Sequence, residues 1–597
     1  MAEVKSIAEQ YHVLETRYNE DGQPTVTATF TPTADTKRCA MVVKTSVIPV
    51  LFVPGIMGSN LNYVDKDGNT QEAWGPPNNI VSGFGQVLNF WAALSAADRA
   101  ERLNPYSTSV KWDGPVEAVP NTFGDVDDAQ GGYTLNGKKL ALKRGWGSVH
   151  KDSYGAFLVK LQSLLDQMCF ETSEEPWKSL LALRPERSAK AGQAESADIS
   201  PVTPAELDHA RDFHYPVYAC GYNWIHSNRN SANGYETGPD AGVSALSDQV
   251  DRILADVRTH RDKECKQVIL VTHSMGGLVA RAYAKAHPDK ILGIVHGVMP
   301  ATGAPATYKR VRAGFGGEGG GIEGWGTSKI LGPDADRAAP PILNSEGALQ
   351  LLPWPDYGAG IDAEHIGSNP PLAQWLQVRR KGQTTPIFAP GRDEVLMGAN
   401  WFSLLPSDIR NEYVGRDSGV IRNKRVTPSD EREMALRRAR GITEKPEDDR
   451  VALRGRLKRV TLFQSKYAAF YLEGKTYSFY GSDPAQRSWW AHIWEGDFPV
   501  GVTAADVSAA VLKNDDGEGK VTITLANGQD VLLQIGAATE PGDGTVPAPS
   551  GMGPFIAGVP SFTHSGYDHQ NAYIAVNQFG LQSALFGIVK FAQLRKG

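Results

Sequence analysis

Cysteine is scarce in this chain. Four residues in 597, Cys39, Cys169, Cys220 and Cys265, lie scattered with no Cys-x-x-Cys pair. That usage argues against a disulfide framework and against a zinc site built on paired thiolates. Long apolar runs are missing too: no stretch approaches the roughly 18 consecutive apolar residues a helix needs to span a bilayer. The first ten residues, Met1 to Gln10, are charged and contain no apolar core of a secretory signal peptide. The expectation is a protein made in the cytoplasm, which leaves the cell, if it does, by a signal-independent route. Neither charge sign dominates, with 61 Lys+Arg against 67 Asp+Glu and a formal net charge of −6. This balance argues against a nucleic-acid partner held by counterion release. No fixed-period repeat, His-Glu-x-x-His, phosphate-binding Gly-Lys loop or EF-hand pattern occurs, so neither metal nor cofactor is expected.

What is present is a globular composition, 41% hydrophobic and 21% charged, in a chain too long for one ordinary core. Residues 48–53 form a short apolar run stopped by Pro54-Gly55, as expected for a strand buried on both faces. A second run, 267–272, is preceded by Leu246, Val250, Ile253, Leu254 and Val257 at helical spacing and followed by a Leu/Ala-rich helix that Pro288 stops. Residues 291–299 supply another strand. Helix, strand, helix, strand implies a parallel sheet covered by helices. Two loop-rich stretches, 64–145 and 170–210, interrupt this core, and 306–535 is far longer than a crossover connection. The expected organisation is a core over 40–305, an inserted cap over 306–535 and a resumed core over 536–597. The cap ends in a hairpin, 521–525 with 531–535, turning at Asn527-Gly528. Its charged stretch, Arg422 to Arg459, reads as a solvated helix or a loop.

The chemistry concentrates in Val271-Thr272-His273-Ser274-Met275-Gly276-Gly277. A serine between a buried strand and a helix sits on a tight elbow that lifts its hydroxyl above the sheet edge, and small residues must follow because strand and helix approach closely. Thr272 stands where the usual Gly-x-Ser-x-Gly pattern has its first glycine. Phe52-Val53-Pro54-Gly55-Ile56-Met57-Gly58-Ser59 follows the first core strand, where an oxyanion loop belongs, so the expected oxyanion donors are the N–H groups of Ile56 and Met275. Asp543 lies on a turn between Gly542 and Gly544. Two candidate bases follow, His564 and His569, and His569 is preferred because it immediately precedes the terminal helical segment. The expected triad is Ser274, Asp543 and His569, with the carboxylate steadying the imidazolium. His273 is expected to point away from Ser274 and pack locally.

The three motifs around Gly55, Ser274 and Asp543 resemble the lecithin:cholesterol acyltransferase-like branch of α/β-hydrolase lipases. Tyr222-Asn223-Trp224 is similar to a Tyr-Asp-Trp segment of that branch, with Asn in place of Asp, and Gly347 to Pro353 looks like a further shared segment. Size, bulky cap and absent signal peptide are similar to bacterial type VI secretion lipase effectors. That resemblance implies an antibacterial phospholipase acting in a rival's periplasm, with a lipid membrane as substrate, a cognate immunity protein and a secretion-apparatus component as partners. Aromatic clusters at 84–94 (Phe84, Val87, Leu88, Phe90, Trp91, Leu94) and 467–494 (among them Trp489, Trp490 and Trp494) suit either a membrane boundary or a core. The reading is thus a serine lipase or phospholipase. Its rivals are an acyltransferase using the same triad, a housekeeping esterase, and a binding protein that kept the fold.

Overall fold

Six strands, five of them buried along their whole length, build the centre of the molecule. The computed structural model describes residues 46–65, 67–75, 93–123, 137–168, 175–188, 197–235, 245–318, 332–361, 374–406, 449–574 and 578–595, with four short strands before residue 46. The central strands are β1 (Val50–Val53), β2 (Val217–Ala219), β3 (Val268–His273), β4 (Ile291–Gly297), β5 (Thr476–Gly481) and β6 (Ser561–His564). All pair in parallel, in the order β6-β5-β4-β3-β1-β2.

Alternate residues of β1 and β3 feed two separate cores, as the period of two requires. Val50, Phe52, Ile269 and Val271 join one cluster, with helices α1 (Lys151–Gln167) and α5 (Gln578–Ala592) over it. Leu51, Val53, Val268 and Leu270 join the other, under α2 (Leu246–His260) and α3 (Gly276–Ala286). The expected α/β architecture, a parallel sheet flanked by helices, is present.

The long segment 306–535 does not lie wholly outside that core. Its strand β5 pairs with β4 on one side and β6 on the other, Ser478 opposite Ser561, so the expected single cap is split by a core strand. Either side of β5, the segment builds a second sheet of six short strands, including Leu376–Arg380, His492–Gly496 and Asp530–Ile535. The expected hairpin is there, Lys520–Thr524 against Asp530–Ile535, with Gly528 at φ 82°. A third apolar cluster fills this cap, and the aromatics Trp489, Trp490 and Trp494 are buried rather than membrane-facing. At its centre Arg312 pairs with Asp515 at 3.1 Å, both side chains almost fully buried. Of the charged stretch, 449–459 lies in helix α4 (Asp449–Tyr467), while 422–448 lies outside the described residues, as does the apolar cluster at 84–91. No described helix is long and apolar enough to cross a membrane.

Candidate active site

Strand β3 ends at His273 and α3 begins at Gly276, so only Ser274 and Met275 make the turn between them. The turn is sharp enough to hold Ser274 at φ 51°, a left-handed conformation that a side chain adopts at a cost of about 1–3 kcal/mol. Packing enforces it. A Cβ on Gly276 would sit 2.3 Å from the Pro54 carbonyl oxygen and 2.6 Å from that of Val53, so α3 starts hard against the end of β1. Thr272 is tolerated because nothing demands a bare Cα there: its hydroxyl lies 3.2 Å from His296 Nδ1 in the buried sheet.

The acid arrives from far downstream. After β5 the chain runs out as Asp483–Ser488, which pairs antiparallel with Glu540–Gly542 and thereby returns residue 543 to the sheet's edge. Asp543 Oδ1 accepts N–H bonds from Thr545 at 3.0 Å and Val546 at 2.6 Å, across a turn that Gly544 makes at φ 85°. These bonds occupy Oδ1 and leave Oδ2 for one more partner. That partner is His569 Nδ1 at 2.7 Å, and the His569 backbone N–H donates to the Asp543 carbonyl, also at 2.7 Å. His569 Nε2 then lies 2.8 Å from Ser274 Oγ. The three residues expected from sequence are therefore in one hydrogen-bonded line, with Ser274 and Asp543 buried and His569 slightly exposed. His564 is not in it: its Nε2 meets Ser583 Oγ at 2.9 Å, and burial among Phe479, Phe562 and Phe579 lowers its pKa to about 4.

The loop carrying Ile56 passes directly against the serine. A Cβ on Gly55 would lie 3.0 Å from Ser274 Cβ and 2.8 Å from His273 Nδ1. Met57 takes φ 63°, with its carbonyl held by Trp74 Nε1 at 2.7 Å. Among the described residues neither Ile56 N–H nor Met275 N–H is taken up by a protein acceptor, as an oxyanion hole would require. Ile56 and Met57 pack against both the core cluster and the cap cluster, so the cap rests on this loop. Beside Met57 is a small cavity of about 20 Å³, lined by Trp74, Leu103, Trp224, Phe315, Ile342 and the buried Arg99.

Two residues add what sequence reasoning missed. Tyr154, on α1, accepts the Gly55 N–H at 3.2 Å and lies 2.9 Å from His273 Nδ1. His273 does point away from Ser274, but its Nε2 lies 2.9 Å from the His569 carbonyl. A carbonyl only accepts, so Nε2 carries the proton and Nδ1 receives the Tyr154 hydroxyl. Burial, aided by the neighbouring His569, lowers the His273 pKa to about 3 and keeps it in this neutral tautomer. One bridge thus ties the candidate oxyanion loop to the backbone of the candidate base. Nothing in the sequence around Tyr154 marks it for this place. Among the described residues no cluster of His, Cys, Asp or Glu is arranged to hold a metal.

A model described as the alpha/beta hydrolase family matches residues 200–508, a span that takes in Ser274 and stops short of Asp543 and His569. No curated protein matches the chain. Among solved structures, the crystal structure of a Tle4–Tli4 complex is similar at 26% identity and a TM-score of 0.64, over 93% of this chain and 100% of that one. With strand, elbow and helix in the order described and the family model matched over more than half the sequence, this chain belongs to the alpha/beta hydrolase family.

Proposed function

We propose that this protein is a serine lipase of phospholipase type that cleaves acyl esters through a covalent acyl-enzyme. The carrying observation is the line from Asp543 through His569 to Ser274, with bonds of 2.7 and 2.8 Å. In this reading His569 Nε2 takes the hydroxyl proton as Ser274 Oγ attacks the ester carbonyl, and the N–H groups of Ile56 and Met275 receive the oxyanion. Collapse breaks the ester C–O bond, and the proton on His569 passes to the leaving alcohol. Water, deprotonated by the same imidazole, then attacks the acyl-serine; the acyl–Oγ bond breaks, the imidazolium returns the proton to Ser274 Oγ, and the fatty acid is released. Asp543 holds the Nδ1–H tautomer throughout and takes no proton. An acyl chain is favoured over a small polar ester by the surroundings of the nucleophile: a buried serine and an oxyanion loop wedged between two apolar clusters.

The biological setting follows from the neighbour. Tle4 is a type VI lipase effector bound in that structure to the Tli4 immunity protein, and the likeness extends over nearly the whole of both chains. We infer that this chain is likewise an effector delivered by type VI secretion, that it acts on phospholipid in the periplasm of the target cell, and that the producer neutralises it with a cognate immunity protein.

The experiment is Ser274→Ala. The variant is expected to keep its fold by circular dichroism, to lose hydrolysis of short- and long-chain esters, and to escape labelling by a fluorophosphonate probe that marks the wild type. Labelling or turnover by the folded variant refutes the assignment. Expression with a periplasmic leader should kill the host while cytoplasmic expression does not; equal growth refutes the effector role.

A further inference from the structure

We propose that a basic groove between helix Asn228–Asn233 and helix α4 is a docking site for the phosphate of anionic phospholipid headgroups, separate from the esterase site. The groove has a volume of about 570 Å³, within the usual range for small-molecule sites, and none of its lining residues belongs to the triad or the oxyanion loop.

Its charge comes from one face of a helix. Arg456, Arg459 and Lys466 recur along α4 at helical spacing, while Leu453, Leu457 and Val460 turn inward to the cap core. Arg229 faces them from the core side of the groove. Among the described residues the groove lining sets one carboxylate, Glu346, against these four cations, and its Oε1 is engaged by Arg459 Nε at 2.6 Å. Arg456 donates to the Leu343 carbonyl, which fixes its guanidinium in the wall. Three guanidinium groups and an ammonium around a concavity match a phosphate.

Two observations favour a lipid source. Leu462, 69% exposed, and Tyr106, 37% exposed, line the same groove, which places apolar and aromatic groups beside the cations as a headgroup interface requires. His226 lines it too, and its Nε2 is buried with no hydrogen-bond partner among the described residues, so it is available to a headgroup hydroxyl. Burial lowers the His226 pKa to about 4, which keeps that nitrogen neutral. The chain as a whole carries −6, so an anionic bilayer repels it on average. Holding it there calls for a local cluster of this kind. The groove is anchored to the esterase core through Tyr467, whose carbonyl accepts from Arg281 on α3, the helix that starts behind Ser274. The inference rests on the phospholipase reading for its ligand but is tested apart from it.

The test uses full-length Ser274→Ala protein, which cannot consume the vesicles, with and without Arg229→Gln, Arg459→Gln and Lys466→Gln together. Binding is read by co-sedimentation with vesicles of phosphatidylcholine alone or mixed with phosphatidylglycerol. Each basic residue near an anionic surface is worth about fivefold in binding, so the triple change should weaken retention on the mixed vesicles by roughly a hundredfold. Binding to phosphatidylcholine alone should stay low for both proteins. With Ser274 restored, the triple variant should cleave a soluble short-chain ester at the wild-type rate. Equal retention of both proteins on mixed vesicles overturns the proposal, whether or not fluorophosphonate labels Ser274. So does thermal stabilisation by inorganic phosphate that the triple variant loses while vesicle binding is unchanged, since the site then takes free phosphate. Retention of an acidic polypeptide in place of vesicles points to a protein partner and overturns it as well.

Discussion

Replacing Tyr154 by Phe removes one oxygen and leaves the ring, so it isolates the bridge from the packing. In the native molecule that oxygen accepts the Gly55 N–H at 3.2 Å and donates to His273 Nδ1 at 2.9 Å, and it is buried deeply enough to push its own pKa above the ordinary tyrosine range. The variant leaves two buried polar groups unsatisfied, at about 1–3 kcal/mol each, so a loss of stability of about 2–6 kcal/mol is expected. The kinetic effect is smaller than total loss of an oxyanion donor, which costs about 10²–10³ in kcat. Other ties keep the loop in place, namely Gly58 N–H to the Gly55 carbonyl at 3.1 Å and Trp74 Nε1 to the Met57 carbonyl at 2.7 Å. A fall in kcat of about tenfold with KM little changed is therefore expected, because the phenol positions the donor loop and the base without touching substrate. Steady-state hydrolysis of a soluble short-chain ester, with the rate of fluorophosphonate labelling, measures it. A partner experiment compares His273→Gln with His273→Leu. The glutamine amide can donate to the His569 carbonyl and accept from Tyr154, so it should retain several times the activity of the leucine variant. Lowered thermal stability with kcat within twofold of wild type, or equal activity in the two His273 variants, shows that the bridge only supports the fold.

Two further outcomes follow from buried charge. Asp515→Ala strands the Arg312 guanidinium in the cap core, which should cost about 3–5 kcal/mol, whereas Arg312→Met with Asp515→Leu should cost less; equal thermal destabilisation of the two proteins contradicts this. Acid should unfold the protein through its buried histidines. Burial lowers His273, His296 and His492 each to about 3 from an ordinary value of about 6.5, with secondary repulsion from His569, Arg281 and Lys309 respectively. Below about pH 6.5 the unfolded chain takes up protons that the folded chain refuses, so the stability these residues contribute is complete above that pH and lost as pH falls toward 3. Each loses about 1.4 kcal/mol per pH unit, so at pH 5 the three together cost about 6 kcal/mol. A urea midpoint that does not move between pH 8 and pH 5 refutes this.

How much of this was legible beforehand depended on where each residue's signal lay. Strands β1, β3 and β4 read clearly because burial on both faces leaves a continuous apolar run, whichever core each side chain joins. Strand β5 did not, because it reads Thr-Tyr-Ser-Phe-Tyr-Gly. Its polar positions are satisfied inside the sheet, where Ser478 Oγ meets Ser561 Oγ at 2.5 Å, and only that pairing makes a buried strand of an unremarkable sequence. The same gap explains the misplaced cap boundary. The serine elbow was legible in spite of Thr272, and the geometry says why: the position that cannot carry a Cβ is Gly276, which meets the backbone of β1, and that glycine is present.

The triad's members were legible one at a time as turn residues, but nothing short of coordinates brings residues 274, 543 and 569 within hydrogen-bond reach. Tyr154 shows the limit more sharply, since it lies 119 positions from His273 on a helix whose apolar face already accounts for it as a core residue. The aromatic cluster at 467–494 was ambiguous for the opposite reason, by carrying a signal that admits two environments. Tyr and Trp suit a membrane boundary and a protein core equally, and only burial separates them. Trp494 Nε1 finds the Tyr308 hydroxyl at 3.2 Å within the cap cluster, and that cluster extends to Ile56 and Met57 of the oxyanion loop. The cap's aromatics therefore belong to a core that presses, through Ile56 and Met57, on the loop running against Ser274, so burial inside the cap rather than exposure to lipid accounts for them.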